Sequence, residues 1–148
     1  MEKTICIMRS APGGGKSFYV SKHFPDAIIC SADHYYINSV TGEYNWRQDK
    51  IGAAHDSCKR KFMQAINLNE PLIIIDNTNT VNSEMKYYVS EAKAAGYKIR
   101  IIRMEVPLDI LYGRNQHNVP DEVVKNMYHR MQTIPSIWGI TEEVVKGY

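Results

Sequence analysis

No stretch of this sequence stays apolar for long. The longest purely aliphatic run, residues 72–75, is far too short to cross a bilayer, so a membrane-spanning protein is not expected. The N-terminus carries Glu2 and no extended apolar segment, which argues against a secretory signal. Cysteine is scarce. Cys6, Cys30 and Cys58 cannot all pair, and two of them lie inside strongly apolar segments. They read as reduced core residues of an intracellular, cytoplasmic protein. Neither sign of charge predominates. With 18 basic and 16 acidic side chains the net charge is +2, so any affinity for nucleic acid has to come from a local patch. No repeat, low-complexity tract or Pro/Gly/Ser-rich linker divides the 148 residues, a length that suits one domain with a proper core.

What is present is an alternation of short apolar runs with longer amphipathic segments. Residues 3–8 read as a strand, followed by a glycine-rich turn and a helix over about 15–23. A second strand at 27–31 leads to Asp33. Ile51, Ala54, Cys58, Phe62 and Ile66 recur at spacings of three and four, which marks an amphipathic helix within 47–67. Pro71 introduces a third strand at 72–76, and a helix over about 83–95 stops at Gly96. Residues 97–104 make a fourth strand. Pro107 and Pro120 each open a further helix, to about 114 and 132, because proline is tolerated in a first helical turn. Val144 and Val145 offer a short edge strand. Strands separated by helices imply parallel β-α-β units, hence an α/β fold with a central parallel sheet of about four to five strands. Ligands in such folds collect beyond the C-terminal strand ends. There this sequence turns polar, at 9–17, 31–34 and 76–80.

The first polar tip is Ser10-Ala11-Pro12-Gly13-Gly14-Gly15-Lys16-Ser17, between the first strand and the first helix. It departs from the phosphate-loop pattern G-x-x-x-x-G-K-[S/T] only at Ser10. Glycines let backbone N–H groups turn inward around phosphate oxygens, and the helix N-terminus adds unpaired donors and a positive dipole end. Lys16 would bridge the outer phosphates of a purine nucleoside triphosphate, and the Ser17 hydroxyl would hold Mg²⁺.

At the second tip, Asp33 can serve either as the base that a phosphoryl acceptor requires or as a turn-capping residue. Tyr35, Tyr36, Tyr44 and Trp46 follow, suited to stacking a base or sugar or to filling the junction between loop and core. The third tip ends an aliphatic strand with Asp76, the Walker B pattern that supports Mg²⁺. Asn77, Thr78 and Asn79 can bind a ligand or cap a turn. Arg114 lies in a segment between two helices, expected to form a short lid over about 112–122; it would fold over a triphosphate or complement a helix end. Arg130 reads as part of a solvated face, and His55 as a half-buried core neighbour. Lys98 and Arg100 guard a sheet edge or meet a polyanion, and the run Lys59-Arg60-Lys61 is open to the same two readings.

In order along the chain come Pro12–Ser17, Ser31-Ala32-Asp33, Gly42-x-Tyr44-x-Trp46, and Ala54-His55 with Cys58 three residues on. Then follow Asp76-Asn77-Thr78-Asn79, Arg114-Asn115-x-His117 and Val119-Pro120. This series resembles the P-loop 5′-hydroxyl polynucleotide kinases and the related kinase-like domains of the NEDD4-binding-protein and cyclic-nucleotide-phosphodiesterase type. The resemblance covers about residues 4–132. It implies a P-loop NTPase kinase fold spanning 1–148 as one domain, strand order two-three-one-four, and the cofactors ATP and Mg²⁺. It implies transfer of the γ-phosphate of ATP to the 5′-hydroxyl end of DNA or RNA, in nucleic-acid repair. By the same resemblance Lys16, Asp33 and Arg114 are catalytic, with Asp33 the general base. Ala11, Pro12, Gly13, Gly14, Gly15, Lys16, Ser17, Phe18 and Arg114 bind ATP, and Ser17 binds the metal. Asp33, Tyr36, Asn77 and Thr78 face the acceptor. In the family's phage member an arginine stands where this chain has Tyr36, and an acid where it has Asn77. The ATP half of the motif set is therefore intact and the acceptor half altered. A phosphotransferase acting on a small-molecule hydroxyl and a non-catalytic nucleotide-binding module are the two rival readings.

Overall fold

The computed structural model describes residues 2–114 and 119–148. Strand β1 (Thr4–Arg9) runs through the centre of a five-stranded sheet and leads into α1 (Lys16–His23). Then come β2 (Ile28–Cys30), a 3₁₀ turn at Ala32–Tyr36, another at Gln48–Lys50, and α2 (Ile51–Asn67). β3 (Leu72–Asp76), α3 (Asn82–Ala94) and β4 (Lys98–Glu105) complete the inner sheet and one of its covering layers. The short helices α4 (Leu108–Gly113) and α5 (Asp121–His129) precede β5 (Glu142–Lys146). The order is β2-β3-β1-β4-β5, every pairing is parallel, and β5 is the edge strand on the β4 side. The expected inner order is thus observed, and the valine pair at 144–145 does lie in an edge strand.

Alternation along the strands sends side chains to two faces. Ile5 and Ile7 of β1 join Phe62 of α2 and Tyr88 of α3 in one core, where the two rings meet edge to face at 5.0 Å. Cys6 and Met8 face the other way and pack with Val20 of α1, Ile74, Ile102 and Met104. β3 is almost wholly aliphatic because both its faces are covered. A third cluster, Ala11, Val106, Leu111 and Val124, seats α4 and α5 beside the glycine-rich loop. His117 and Asn118, in the expected lid, lie outside the described residues. Among the described residues no helix is long and apolar enough to cross a membrane.

All three cysteines are free and buried. Burial pushes the Cys6 thiol up to about 11 and the Cys30 thiol to about 12, so both stay protonated and unreactive. One expectation is corrected. β5 pairs with β4 from Ile101 to Glu105, so only the start of β4, with the exposed Lys98, is left as an edge, and Arg100 does not serve as a free edge charge. Arg100 instead makes a forked pair with Glu143 (Nε–Oε2 2.8 Å, Nη2–Oε1 2.7 Å) and lies over the Phe24 ring at 5.6 Å.

The charge at the end of β1 is the strongest single tie. Arg9 is completely buried. Its Nε donates to the Asn79 carbonyl at 2.7 Å, and its Nη2 donates to the carbonyls of Thr80 at 3.1 Å and Gln132 at 2.8 Å. Nη1 pairs with Glu142, which Arg103 also holds at 2.9 Å. Burial lowers the Arg9 pKa and the Glu142 pair offsets part of that effect. One guanidinium therefore joins β1, the loop after β3, the chain beyond α5, and β5. Removing one member of a buried network leaves the others desolvated and unpaired, at a cost of about 3 kcal/mol. Arg9→Met is expected to lower Tm by on the order of 10 °C in a domain of this size, followed by circular dichroism. An unchanged Tm would contradict the clamp.

Candidate active site

The glycine-rich loop sits directly beyond β1. Gly15, the N-cap of α1, has φ 82°, a left-handed conformation that glycine adopts without strain. It turns the chain so that the first amides of α1 face the loop. Ser10 fits in the place of a glycine because Gly14 makes room: a Cβ at Gly14 would fall 2.2 Å from Ser10 Oγ. That hydroxyl donates to the Ala11 carbonyl at 2.8 Å and accepts from Lys16 Nζ at 3.0 Å. The half-buried ammonium of Lys16 therefore rests over the concavity of its own loop. Burial lowers its pKa, while Asp76 and Asp33 raise it. Phe18, in the first turn of α1, is 74% exposed.

Asp33 stands on the turn after β2, exposed to solvent. Ser31 caps that turn, its Oγ accepting from Asp33 N at 3.2 Å. Asn77 braces the turn from the tip of β3: its Oδ1 accepts from Ala32 N at 2.8 Å and its Nδ2 donates to Cys58 Sγ at 3.5 Å. The same sulfur accepts from the Tyr88 hydroxyl at 3.2 Å. The Asn77 amide, grouped by sequence with the acceptor contacts, is engaged at both ends by protein and acts as a strut for Asp33. Thr78 supports the phosphate loop through its carbonyl, which accepts from Ser10 N at 3.1 Å. Asn79 donates to the Met8 carbonyl at 2.8 Å. Tyr36 is buried in the core and its hydroxyl donates to the Arg47 carbonyl at 3.3 Å; Tyr35 and Trp46 are the exposed rings of that segment.

Asp76 Oδ2 accepts from the Ser17 hydroxyl at 3.4 Å, which joins the loop to the tip of β3. This hydroxyl and carboxylate are hard oxygen donors that fit Mg²⁺. Among the described residues no group of three or more His, Cys, Asp or Glu is placed to hold a metal. An ion here would complete its shell from phosphate oxygens and water, the habit of Mg²⁺.

Two features escaped sequence reasoning. Arg114, at the end of α4, donates through Nη1 to the Gly147 carbonyl. Gly147 itself lies against the phosphate loop: a Cβ there would fall 2.5 Å from the Gly14 carbonyl oxygen and 2.7 Å from Val106 Cγ2. A glycine after a short strand carries no local sign of that approach. Arg130 is exposed, as expected of a solvated face, yet it is also tied down: its Nε donates to Thr80 Oγ1 at 2.9 Å and its Nη2 lies 3.6 Å from Glu84. The run Lys59-Arg60-Lys61 lines a separate groove of about 650 Å³ on the flank of α2, with Lys59 over the Tyr87 ring at 5.0 Å.

A parallel sheet with a glycine-rich loop, a lysine and a serine at the central strand, and carboxylates beyond the tips of β3 and β2, defines a kinase-like P-loop protein. A family described as an AAA domain matches residues 5–134, and the chain belongs to it. It is similar to human NEDD4-binding protein 2, 31% identical over 144 residues that cover 90% of this chain and 8% of that protein. Similarity to the L-seryl-tRNA(Sec) kinase of Methanococcus maripaludis is 30% identity over 91 residues, 60% of this chain and 35% of that enzyme. The chain thus spans about a third or less of the curated relatives it matches. Among solved structures, a chain of the Pnkp1/Rnl/Hen1 RNA repair complex superposes with a TM-score of 0.68 at 18% identity. That match covers 88% of this chain and 44% of the other, and shows a shared fold.

Because Gly147 leaves no space for a side chain, Gly147→Ala must push the end of β5 off the phosphate loop. The expected result is an increase in the Kd for ATP of about tenfold, equivalent to about 1.4 kcal/mol, by isothermal titration. Unchanged affinity would show that this contact does not shape the loop.

Proposed function

We propose that this protein transfers the γ-phosphate of ATP to the 5′-hydroxyl end of DNA or RNA, as a kinase of nucleic-acid end repair. The observation that carries the reading is the placement of Asp33. Its carboxylate emerges from a turn whose backbone is held by Ser31 and Asn77, and burial lowers the pKa of the phosphate-loop lysine while the charges of Asp76 and Asp33 oppose that lowering. The similarity to NEDD4-binding protein 2 and the fold shared with a chain of an RNA repair complex support it.

The loop amides and the N-terminus of α1 receive the phosphates, and Lys16 moves from Ser10 to the β- and γ-oxygens. Arg114 exchanges the Gly147 carbonyl for the transferring phosphoryl group, where its fixed charge opposes the charge that develops. Asp33 takes the proton of the attacking hydroxyl. Ser17 and Asp76 would hold Mg²⁺, which would supply positive charge to neutralise the β- and γ-phosphates.

A second reading, transfer to a small-molecule hydroxyl, has one observation in its favour. Tyr36 replaces the acceptor-side arginine and its ring is buried, so the expected 3′-phosphate contact is missing at that position.

Transfer of labelled γ-phosphate to matched 5′-hydroxyl DNA and RNA oligonucleotides, in competition with free nucleosides, tests both. The expected outcome is label on the oligonucleotide 5′ end, reduced about 10²- to 10⁴-fold by Asp33→Asn with ATP binding retained. Label on nucleosides alone would favour the second reading, and full turnover by Asp33→Asn would remove the base assignment.

A further inference from the structure

Among the described residues, one hydrogen bond reaches the Asp33 carboxylate from outside its own turn. The Tyr44 hydroxyl donates to Asp33 Oδ1 at 3.0 Å. The two are eleven positions apart, and the intervening chain is folded back on itself to make the contact. Ile37 and Tyr44 form an antiparallel bridge. Asn38 ties the reversal together, its N donating to the Glu43 carbonyl at 2.8 Å and its Oδ1 accepting from Val40 N at 2.8 Å and Thr41 N at 3.0 Å. The Tyr44 ring meets the buried Tyr36 ring edge to face at 5.9 Å, so its direction is set by the core. Burial and the Asp33 charge raise the Tyr44 pKa far above the ordinary phenol value, which keeps the hydroxyl protonated as a permanent donor.

The torsion that turns a carboxylate about its last bond is broad and roughly two-fold, so an exposed Asp with no fixed partner presents its oxygens without preference. A donor on Oδ1 removes that freedom and leaves Oδ2 available.

We propose that Tyr44 is a positioning residue for phosphoryl transfer, holding Asp33 Oδ1 so that Oδ2 receives the acceptor's proton. The inference rests on the reading of Asp33 as the base. In the step, the acceptor O–H bond breaks and its proton goes to Oδ2. The acceptor oxygen bonds to the γ-phosphorus as the bond to the β,γ-bridging oxygen breaks, and ADP leaves with that electron pair.

Tyr44→Phe keeps the ring and removes only the donor. The other groups facing the carboxylate are Lys16 from the phosphate loop and His34 and Tyr36 from its own turn, with Asp76 and Lys61 facing His34. All of these remain in the variant. The charged form of the carboxylate loses a hydrogen bond, so more of it is protonated at a given pH. The acid limb of the pH–rate profile is therefore expected to move to higher pH. At neutral pH kcat should fall about threefold to tenfold with the KM for ATP unchanged. Both should be measured beside wild type and Asp33→Asn. A lower kcat with the acid limb in place would assign Tyr44 a packing role only and overturn the inference. So would an unaltered profile in a protein whose Asp33→Asn variant is inactive, leaving the function standing. Failure of the wild type to phosphorylate any hydroxyl acceptor would overturn the functional reading, and this inference with it.

Discussion

A single buried guanidinium holds the working edge of this protein together. β1 delivers the phosphate loop, but a strand end has no fixed relation to the loops around it unless something ties them. Arg9 supplies the tie by donating to three carbonyls and pairing with Glu142. The loop after β3, the chain after α5 and the edge strand β5 are all registered against the residue just before Ser10. A buried charge is tolerated only when its donors are occupied, so the network holds as a whole or fails as a whole. That property makes it a suitable foundation for a site whose parts come from four separate elements.

On that foundation the three strand tips divide the work. The tip of β1 offers donors and a lysine, β2 a carboxylate held by the Tyr44 hydroxyl, and β3 a carboxylate joined to the loop serine. Burial lowers the Lys16 pKa, and the charges of Asp76 and Asp33 oppose that lowering. The neighbouring amides are held by structural bonds: Asn77 serves Ala32, and Asn79 serves Met8. The polar residues beyond β3 thus build the frame around Asp33 and Asp76.

Much of this was legible in the sequence, wherever local rules decide the outcome. The bounds of β3 matched because Pro71 and Asp76 bracket an uninterrupted aliphatic run. α2 was visible from the spacing of Ala54, Cys58, Phe62 and Ile66, and the phosphate loop from its glycines between strand and helix. What stayed hidden depends on partners remote in the chain. Arg100 looked like an edge charge because its partner Glu143 lies 43 residues away, in a strand recognised only by two valines. Gly147 meets Gly14, and Arg130 meets Thr80, through crossovers with no local signature. Asn77 is a further case: its amide is occupied at both ends by Ala32 and Cys58, partners that its sequence neighbours do not reveal.

The most direct test of the account is a crystal structure of the protein with a non-hydrolysable ATP analogue, Mg²⁺ and a 5′-hydroxyl oligonucleotide. The account predicts the γ-phosphate within hydrogen-bond reach of Lys16, with the 5′-oxygen between the γ-phosphorus and the oxygen of Asp33 that Tyr44 leaves available. A γ-phosphate directed away from Asp33, or an oligonucleotide end bound elsewhere on the surface, would contradict it.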